Sequence, residues 1–270
     1  MTILRPGPLA ACVAALLAVF LMMPLVAVIP VSFTPTRFLS IPTDEWSLRH
    51  YRALLENPVW GQGAWLSVRV GLASALLSTA LAAAFAIGIW VLQPRFSGLL
   101  MGLALLPMVA PPVVSALTLY FFLVSLSQVN EIIAYDRWAG VVLAHVVMVS
   151  PFAVVLISVG LTQLDRRMDL AARSMGAGLW TRVVRVILPN IRFSLFAALF
   201  LTFVLSWEEI AVTLFITSVE AVTLPRLMWM GLRDNIDPAI AAISVLLIVV
   251  VVVVILARTV WDLRRGRAGS

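Results

Sequence analysis

Between Leu9 and Val31 the chain carries no acidic or basic residue. At ~1.5 Å per helical residue this run is long enough to cross the ~30 Å hydrocarbon core of a bilayer. It is also longer than the ~7 to 15 residues of a signal peptide's apolar region, so it reads as a retained first helix. Comparable apolar stretches recur at 59–92, 99–126, 138–162, 193–217 and 238–260. Buried core helices and membrane spans can look alike at this level, and composition separates them. With 62% hydrophobic residues, 12% charged residues and a mean hydropathy of +1.07, the chain has more apolar side chains than a soluble interior can use. In lipid the backbone must satisfy its own hydrogen bonds, so a non-barrel chain of this kind is helical. The expected fold is an all-α integral membrane protein with six transmembrane helices in a single transmembrane domain over residues 1–270. Internal repeats and a soluble second domain are not expected.

Orientation follows from the arginines, because all nineteen basic residues are arginine. With both termini placed in the cytoplasm, twelve fall inside (Arg5, Arg95, Arg166, Arg167, Arg173, Arg182, Arg185, Arg192, Arg258, Arg264, Arg265 and Arg267) and six outside (Arg37, Arg49, Arg52, Arg137, Arg226 and Arg233). The bias sets the topology. The net charge of +6 then belongs to topology and to anionic lipid headgroups, with no nucleic acid expected. Outside the membrane, Trp46–Leu55 reads as a surface helix capped by Thr43 or Asp44. Further outer segments are expected at 127–137 and 218–237. Helix three contains Pro107, Pro111 and Pro112 and must bend.

The longest polar interruption in the carboxy-terminal half is the cytoplasmic loop 163–192. Asp169–Met175 reads as a short helix, broken at Gly176, Ala177 and Gly178. Leu179–Leu188 reads as a second helix, closed by Pro189. Two short helices at an angle make a knob rather than a linker. Within it, Ala171 and Ala172, then Gly176, then Val186, Leu188 and Pro189 resemble the EAA loop of ABC-importer permeases: Glu-Ala-Ala, three residues, Gly, nine residues, Ile, one residue, Leu-Pro. Leu170 stands at the usual Glu and Val186 at the usual Ile. The resemblance implies a type I ABC-importer permease fold in a bacterial inner (cytoplasmic) membrane. Residues Asp169, Leu170, Ala171, Ala172, Gly176, Val186, Leu188 and Pro189 would form the surface that docks on an ATPase. It also implies a second homologous permease, two copies of the ATPase and an extracytoplasmic solute-binding protein, with ATP and Mg held by the ATPase copies.

Four ionisable groups lie inside the expected spans: Arg69, His145, Glu208 and Glu209. By the helical rise they occupy one layer, ~11 to 15 Å below the outer ends of their helices. Charges at such depth pair, face the protein interior or line a wet path. On one reading Arg69 neutralises a glutamate and His145 hydrogen-bonds nearby, holding the bundle together. Neighbours on one helix point ~100° apart, so a single partner does not easily satisfy both glutamates, and one is left to face a path or a partner subunit. Trp207 beside them is either a stacking surface for a cation or plain packing. Ala144–Ala177, Leu205–Thr217 and Val222–Ala242 resemble the second permease of spermidine/putrescine importers, in which an acidic pair stands at this place. The resemblance implies a small cationic solute such as a polyamine. Importers for an opine, an amino-acid derivative or iron, and a proton-coupled secondary transporter using Glu208 or Glu209, are the alternatives.

Catalytic chemistry has little to work with. No Gly-x-x-x-x-Gly-Lys loop and no His-Glu-x-x-His is present, and the chain has two histidines and the single cysteine Cys12. No catalytic residue, no metal site and no cofactor of its own are expected. An intramembrane enzyme would have to build its base from His145 or the glutamates.

Overall fold

A computed structural model describes residues 7–43, 45–234 and 237–268. Arg5 and Asp44 lie outside them, as do the side chains of Arg265 and Arg267. The described residues are helical and turn segments, without a strand. Two compact units divide the chain, Met1–Gly61 with Met228–Ser270, and Gln62–Leu227.

The first unit contains α1 (Pro8–Val31), α2 (Arg49–Glu56) and α13 (Ala239–Ala268). Helices α1 and α2 both pack on α13. No residue of α1 is buried, as expected of a helix that turns most of its circumference to lipid. Helix α13 continues past Val260, the expected end of the last span, because 261–268 sustain the helical pattern into the basic tail. Helix α2 starts later than expected. Its N-cap is Leu48, without a side-chain cap bond, and the Ser47 hydroxyl accepts from the Arg49 N–H at 3.2 Å. Thr43 therefore does not cap it.

The second unit is built around α6 (Trp138–Thr162). This helix is apolar on all sides because it is enclosed: Val141, Ala144, His145, Val149, Ala153 and Ile157 are buried. Helix α10 (Arg192–Glu208) and α4 (Ser97–Val109) pack against it, and α11 (Ala211–Ile216) packs on α5 (Pro112–Leu126). Small residues allow the approach. A Cβ on Gly160 of α6 would collide with the Ser194 hydroxyl of α10. Helix α3 (Pro58–Leu92) buries a stripe of small residues that includes Ser67, Gly71, Ser74 and Ala75.

Among the described residues four helices are long and apolar enough to cross a membrane unbroken, and the number rises to six if each of two bent helix pairs is one span. Helices α4 and α5 meet at 99°. Pro107 is absorbed within α4, whereas Ala110 and Pro111 are extended, with ψ of 138° and 133°. Each precedes a proline, whose ring disfavours the helical conformation of the residue before it. The other bend, 73°, falls at Ile191.

The outer segment 218–237 contains a helix, α12 (Leu224–Asp234), whose first N–H donates to the Ser67 hydroxyl at 2.8 Å. Helix five, expected over 193–217, ends at Glu208 and resumes as α11.

Candidate functional site

The loop 163–192, expected in the cytoplasm, folds into α7 (Arg166–Ser174), α8 (Leu179–Arg182), a π-helical turn over Val183–Ile187 and α9 (Leu188–Asn190). The Asp165 carboxylate caps α7, accepting from the Arg167 N–H at 2.9 Å. The helix ends in a Schellman motif: the Ala177 N–H donates to the Ala172 carbonyl and the Gly176 N–H to the Arg173 carbonyl. Gly176 sits at φ +81°, where a Cβ would be strained.

Pro189 does not close the second helix. The chain stays helical through Pro189 to Asn190, with a widened turn just before it in which the Leu188 N–H reaches back to the Val183 carbonyl. A π turn relaxes the demand that the proline ring and its missing N–H place on the preceding turn. The Asn190 amide then donates to the Val186 carbonyl at 2.7 Å.

What holds the two helices as one body is a forked ion pair. Arg182 Nε donates to Asp169 Oδ1 at 2.8 Å and its Nη2 to Oδ2 at 2.5 Å. The two side chains are 12% and 10% exposed, and these hydrogen bonds, against a smaller desolvation effect, raise the Arg182 pKa above its ordinary value. Leu170 points outward instead. The carboxylate that Leu170 lacks thus stands one position earlier and faces inward. Ala172 is buried, while Val186 and Leu188 are half-buried. Ile187, between them, is fully buried in the cluster that includes Ile157, Leu161 and Ile191. The outer surface of the knob presents Leu170, Met175, Leu179 and Trp180 among arginines, with Met175 81% and Trp180 78% exposed.

The second feature is the break between α10 and α11. Glu209 is extended, with ψ of 114°, and its Oε1 accepts from the Val212 N–H at 2.9 Å. The Glu209 carbonyl also accepts from the Thr213 hydroxyl at 3.1 Å. Glu209 therefore caps the start of α11. Glu208, the last residue of α10, is exposed. It has no hydrogen bond or ion pair among the described residues. The two glutamates are separated by the end of a helix, not by a 100° step along one. At the same place the last carbonyls of α10 lack intrahelical donors and add partial negative charge.

Around the break, the expected charge layer resolves into separate contacts. His145 is buried and its Nδ1 lies 2.7 Å from the Ser206 hydroxyl, while Nε2 has no partner among the described residues. Arg69 is exposed and lies over the Trp138 ring, 5.2 Å from its centroid. It does not pair with either glutamate. The Trp207 ring packs on Phe203 at 6.2 Å.

In the segments expected outside the membrane, Asp136, at φ 56°, accepts from four consecutive N–H groups, Ser218 to Ala221, at 2.7 to 3.2 Å. Burial opposes ionisation there, but the four hydrogen bonds outweigh it and hold the carboxyl below its ordinary range. Arg137 and Glu220 form an exposed ion pair alongside. Arg182, Ser206, Ile187 and Asp136 were not among the expected site residues. A buried carboxylate demands a donor, yet six arginines in the loop gave no way to choose Arg182, and nothing local marks Asp136.

Residues 76–266 match the family described as the binding-protein-dependent transport system inner membrane component. The chain is 28% identical over 231 residues to the putrescine transport system permease protein PotI of Escherichia coli, covering 84% of this chain and 81% of that protein. It is 26% identical over 252 residues to the spermidine/putrescine transport system permease protein PotC of E. coli, covering 93% of each. A probable molybdenum ABC transporter permease protein of Haloferax volcanii is 33% identical over 181 residues, 64% of this chain and 67% of that one. In fold, the chain is similar to a bacterial ABC transporter involved in the import of alginate, with a TM-score of 0.64 at 13% identity over 93% of this chain and 94% of that one. The all-helical arrangement is that of a type I ABC-importer permease.

Proposed function

Because the chain belongs to the family of binding-protein-dependent transport system inner membrane components, we propose that it forms one half of the pathway of an ATP-driven importer for a small organic cation, a polyamine or a close relative. The subunit itself is a non-catalytic permease of the membrane. Its family implies a second permease, an ATPase and a binding protein. In the proposed assembly one homologous permease completes the path, two ATPase copies hold ATP and Mg, and a loaded binding protein docks on the outer segments. Both termini and the knob face the cytoplasm.

The knob supplies the coupling. A two-helix body fixed by a glycine turn and a buried ion pair transmits a push as a unit, whereas a flexible loop would absorb it. Its exposed Leu170, Met175 and Trp180 supply apolar contact area for the ATPase cleft, with the arginines at the rim. Movement then passes through Ile187 into the cluster at the inner ends of α6 and α10.

The observation that carries the cationic reading is Glu208, an unpaired carboxylate at a helix end, inside a span. Discontinuous helices with their carbonyl ends exposed are a recurring way to receive a cation in a membrane. Glu209 has a different role, because its carboxylate is occupied in capping α11. The test is uptake of labelled putrescine and spermidine by the reconstituted importer carrying Glu208→Gln or Glu209→Gln. Glu208→Gln is expected to lower uptake at least tenfold. Glu209→Gln keeps an acceptor for the Val212 N–H and is expected to change uptake less than threefold, since a neutral cap is worth ~1 kcal/mol or less here. Equal loss in both, or none in either, overturns the assignment.

A further inference from the structure

A cavity of about 380 Å³ opens between the end of α3, the start of α4, the end of α6 and the first residue of α7. Its lining includes one charged side chain and one amide, Arg166 and Gln93, with hydroxyls from Ser97, Ser158 and Thr162. Gln93 closes α3, Ser97 opens α4 and Arg166 opens α7. The Arg166 guanidinium lies over the Trp90 ring, 5.1 Å from its centroid, and the Gln93 side-chain amide lies against it, where its oxygen can accept once turned toward the guanidinium. Among the described residues Arg166 has no carboxylate partner. Its neighbour Asp165 is committed to the N-terminus of α7.

Two more groups at this site lack partners. The Ser158 hydroxyl lines the cavity, buried and without a hydrogen bond among the described residues. Helix α4 has no side-chain cap; its Ser97 N–H donates to the Pro94 carbonyl, and the Gly98 and Leu99 N–H groups of its first turn have no intrahelical acceptor. Behind this polar mouth the wall is apolar, formed by Ala86, Ile89, Met101 and Leu161. Ala86 lies ~10 Å from Gln93 along α3, and Met101 ~6 Å from Ser97 along α4. The cavity is therefore cationic at one end and greasy at the other.

We propose that this cavity binds one anionic phospholipid of the cytoplasmic leaflet. The phosphodiester sits between Arg166 and the N-terminus of α4, and an acyl chain follows the apolar wall. The inference rests on the orientation given under Proposed function, which sets Arg166 at the depth of the inner headgroups. A free phosphate would satisfy the mouth but leave the apolar wall empty; a zwitterionic lipid would fill the wall but set its own ammonium near Arg166. An anionic lipid suits both ends. Because Arg166 is the first residue of the knob, an occupied site holds the root of the coupling helices, and the bound lipid conditions how the knob moves.

The test is lipid retention, read by native mass spectrometry on the chain purified in detergent with the subunits that accompany it, without solute or ATP. The complex is titrated with phosphatidylglycerol, with phosphatidylcholine and with phosphatidylglycerol in the presence of millimolar inorganic phosphate. The wild-type chain is expected to hold one phosphatidylglycerol at least tenfold more tightly than phosphatidylcholine, undisturbed by phosphate. Arg166→Gln removes that preference and Arg166→Lys retains most of it. Met101→Trp, which blocks the wall and leaves the charge, lowers retention as well and serves if Arg166→Gln fails to assemble. Unchanged phosphatidylglycerol retention in Arg166→Gln or Met101→Trp, or displacement by inorganic phosphate, overturns the proposal. Neither result depends on which solute is carried, so a failed uptake assay leaves this test intact.

Discussion

Replacing Arg182 by alanine removes both arms of the fork that ties α7 to α8. Two charge-assisted hydrogen bonds at 2.8 and 2.5 Å are lost together, each worth ~1.5 to 3 kcal/mol and not additive. The change also leaves the Asp169 carboxylate, only 10% exposed, without its counter-charge. Breaking a fully buried pair costs ~3 to 5 kcal/mol. Some solvent reaches this one, so about 2 to 4 kcal/mol is expected, concentrated in the knob because the pair spans only its two helices. A penalty of ~2 kcal/mol lowers the population of the fixed knob ~30-fold relative to its opened forms. Amide exchange over 166–190 in the assembled transporter should accelerate by about that factor, while exchange in α6 stays slow. Solute-stimulated ATPase activity should fall in parallel. Arg182→Lys keeps the charge but not the fork and should fall between. In the double variant Asp169→Ala, Arg182→Ala the losses should be smaller than the sum, with a coupling energy of ~1.5 to 3 kcal/mol. Unchanged exchange and ATPase stimulation in Arg182→Ala would refute the claim that this pair sets the knob's geometry.

Three other perturbations read different parts of the chain. Gly176→Val places a β-branched residue at φ +81°, which should cost ~1 to 2 kcal/mol and uncouple ATPase stimulation without preventing membrane insertion. Asp136→Asn weakens the four bonds to Ser218–Ala221 and should speed exchange of those amides ~10-fold or more, a loss of ~1.5 to 3 kcal/mol. Because the folded pKa of Asp136 is depressed below 3.8, its stabilisation is complete above that value and is lost as the pH falls through the lower folded value. Exchange of 218–221 should therefore be insensitive to this group at neutral pH and rise only in acid. Gly160→Ala drives a methyl group into Ser194 of α10, an overpacking cost of ~1 to 3 kcal/mol visible as a lower melting temperature. Ser194→Gly should restore it.

Much of the architecture is legible in the chain itself. Helices such as α1, α3 and α6 start and end within a residue or so of the limits expected of them, because an uninterrupted apolar run in a bilayer must satisfy its own backbone as helix. The proline cluster announces the bend between α4 and α5, although only the pair at 111 and 112 breaks the helix. The spacing of Ala171, Ala172, Gly176, Leu188 and Pro189 marks the knob. What was hidden depends on side-chain contacts, some local and some far apart in sequence. Glu209 and Val212 lie in an apolar run that reads as continuous helix, and only the cap between them reveals the break. Asp136 reaches across to the turn after α11, and Ser206 reaches His145, through contacts that local periodicity does not encode. Pro189 misled because a helix can widen by one residue ahead of a proline instead of stopping.

The most direct test of the account is the energy source for uptake. The chain would be reconstituted with its copurifying subunits and binding protein, and uptake of labelled polyamine measured with ATP inside and no ion gradient, then with a proton gradient and no ATP. Uptake that requires ATP and the binding protein, and that is abolished by Gly176→Val, is the predicted result. Uptake driven by the proton gradient alone, unaffected at Gly176 and lost in Glu208→Gln, would contradict it and make the glutamate a proton carrier.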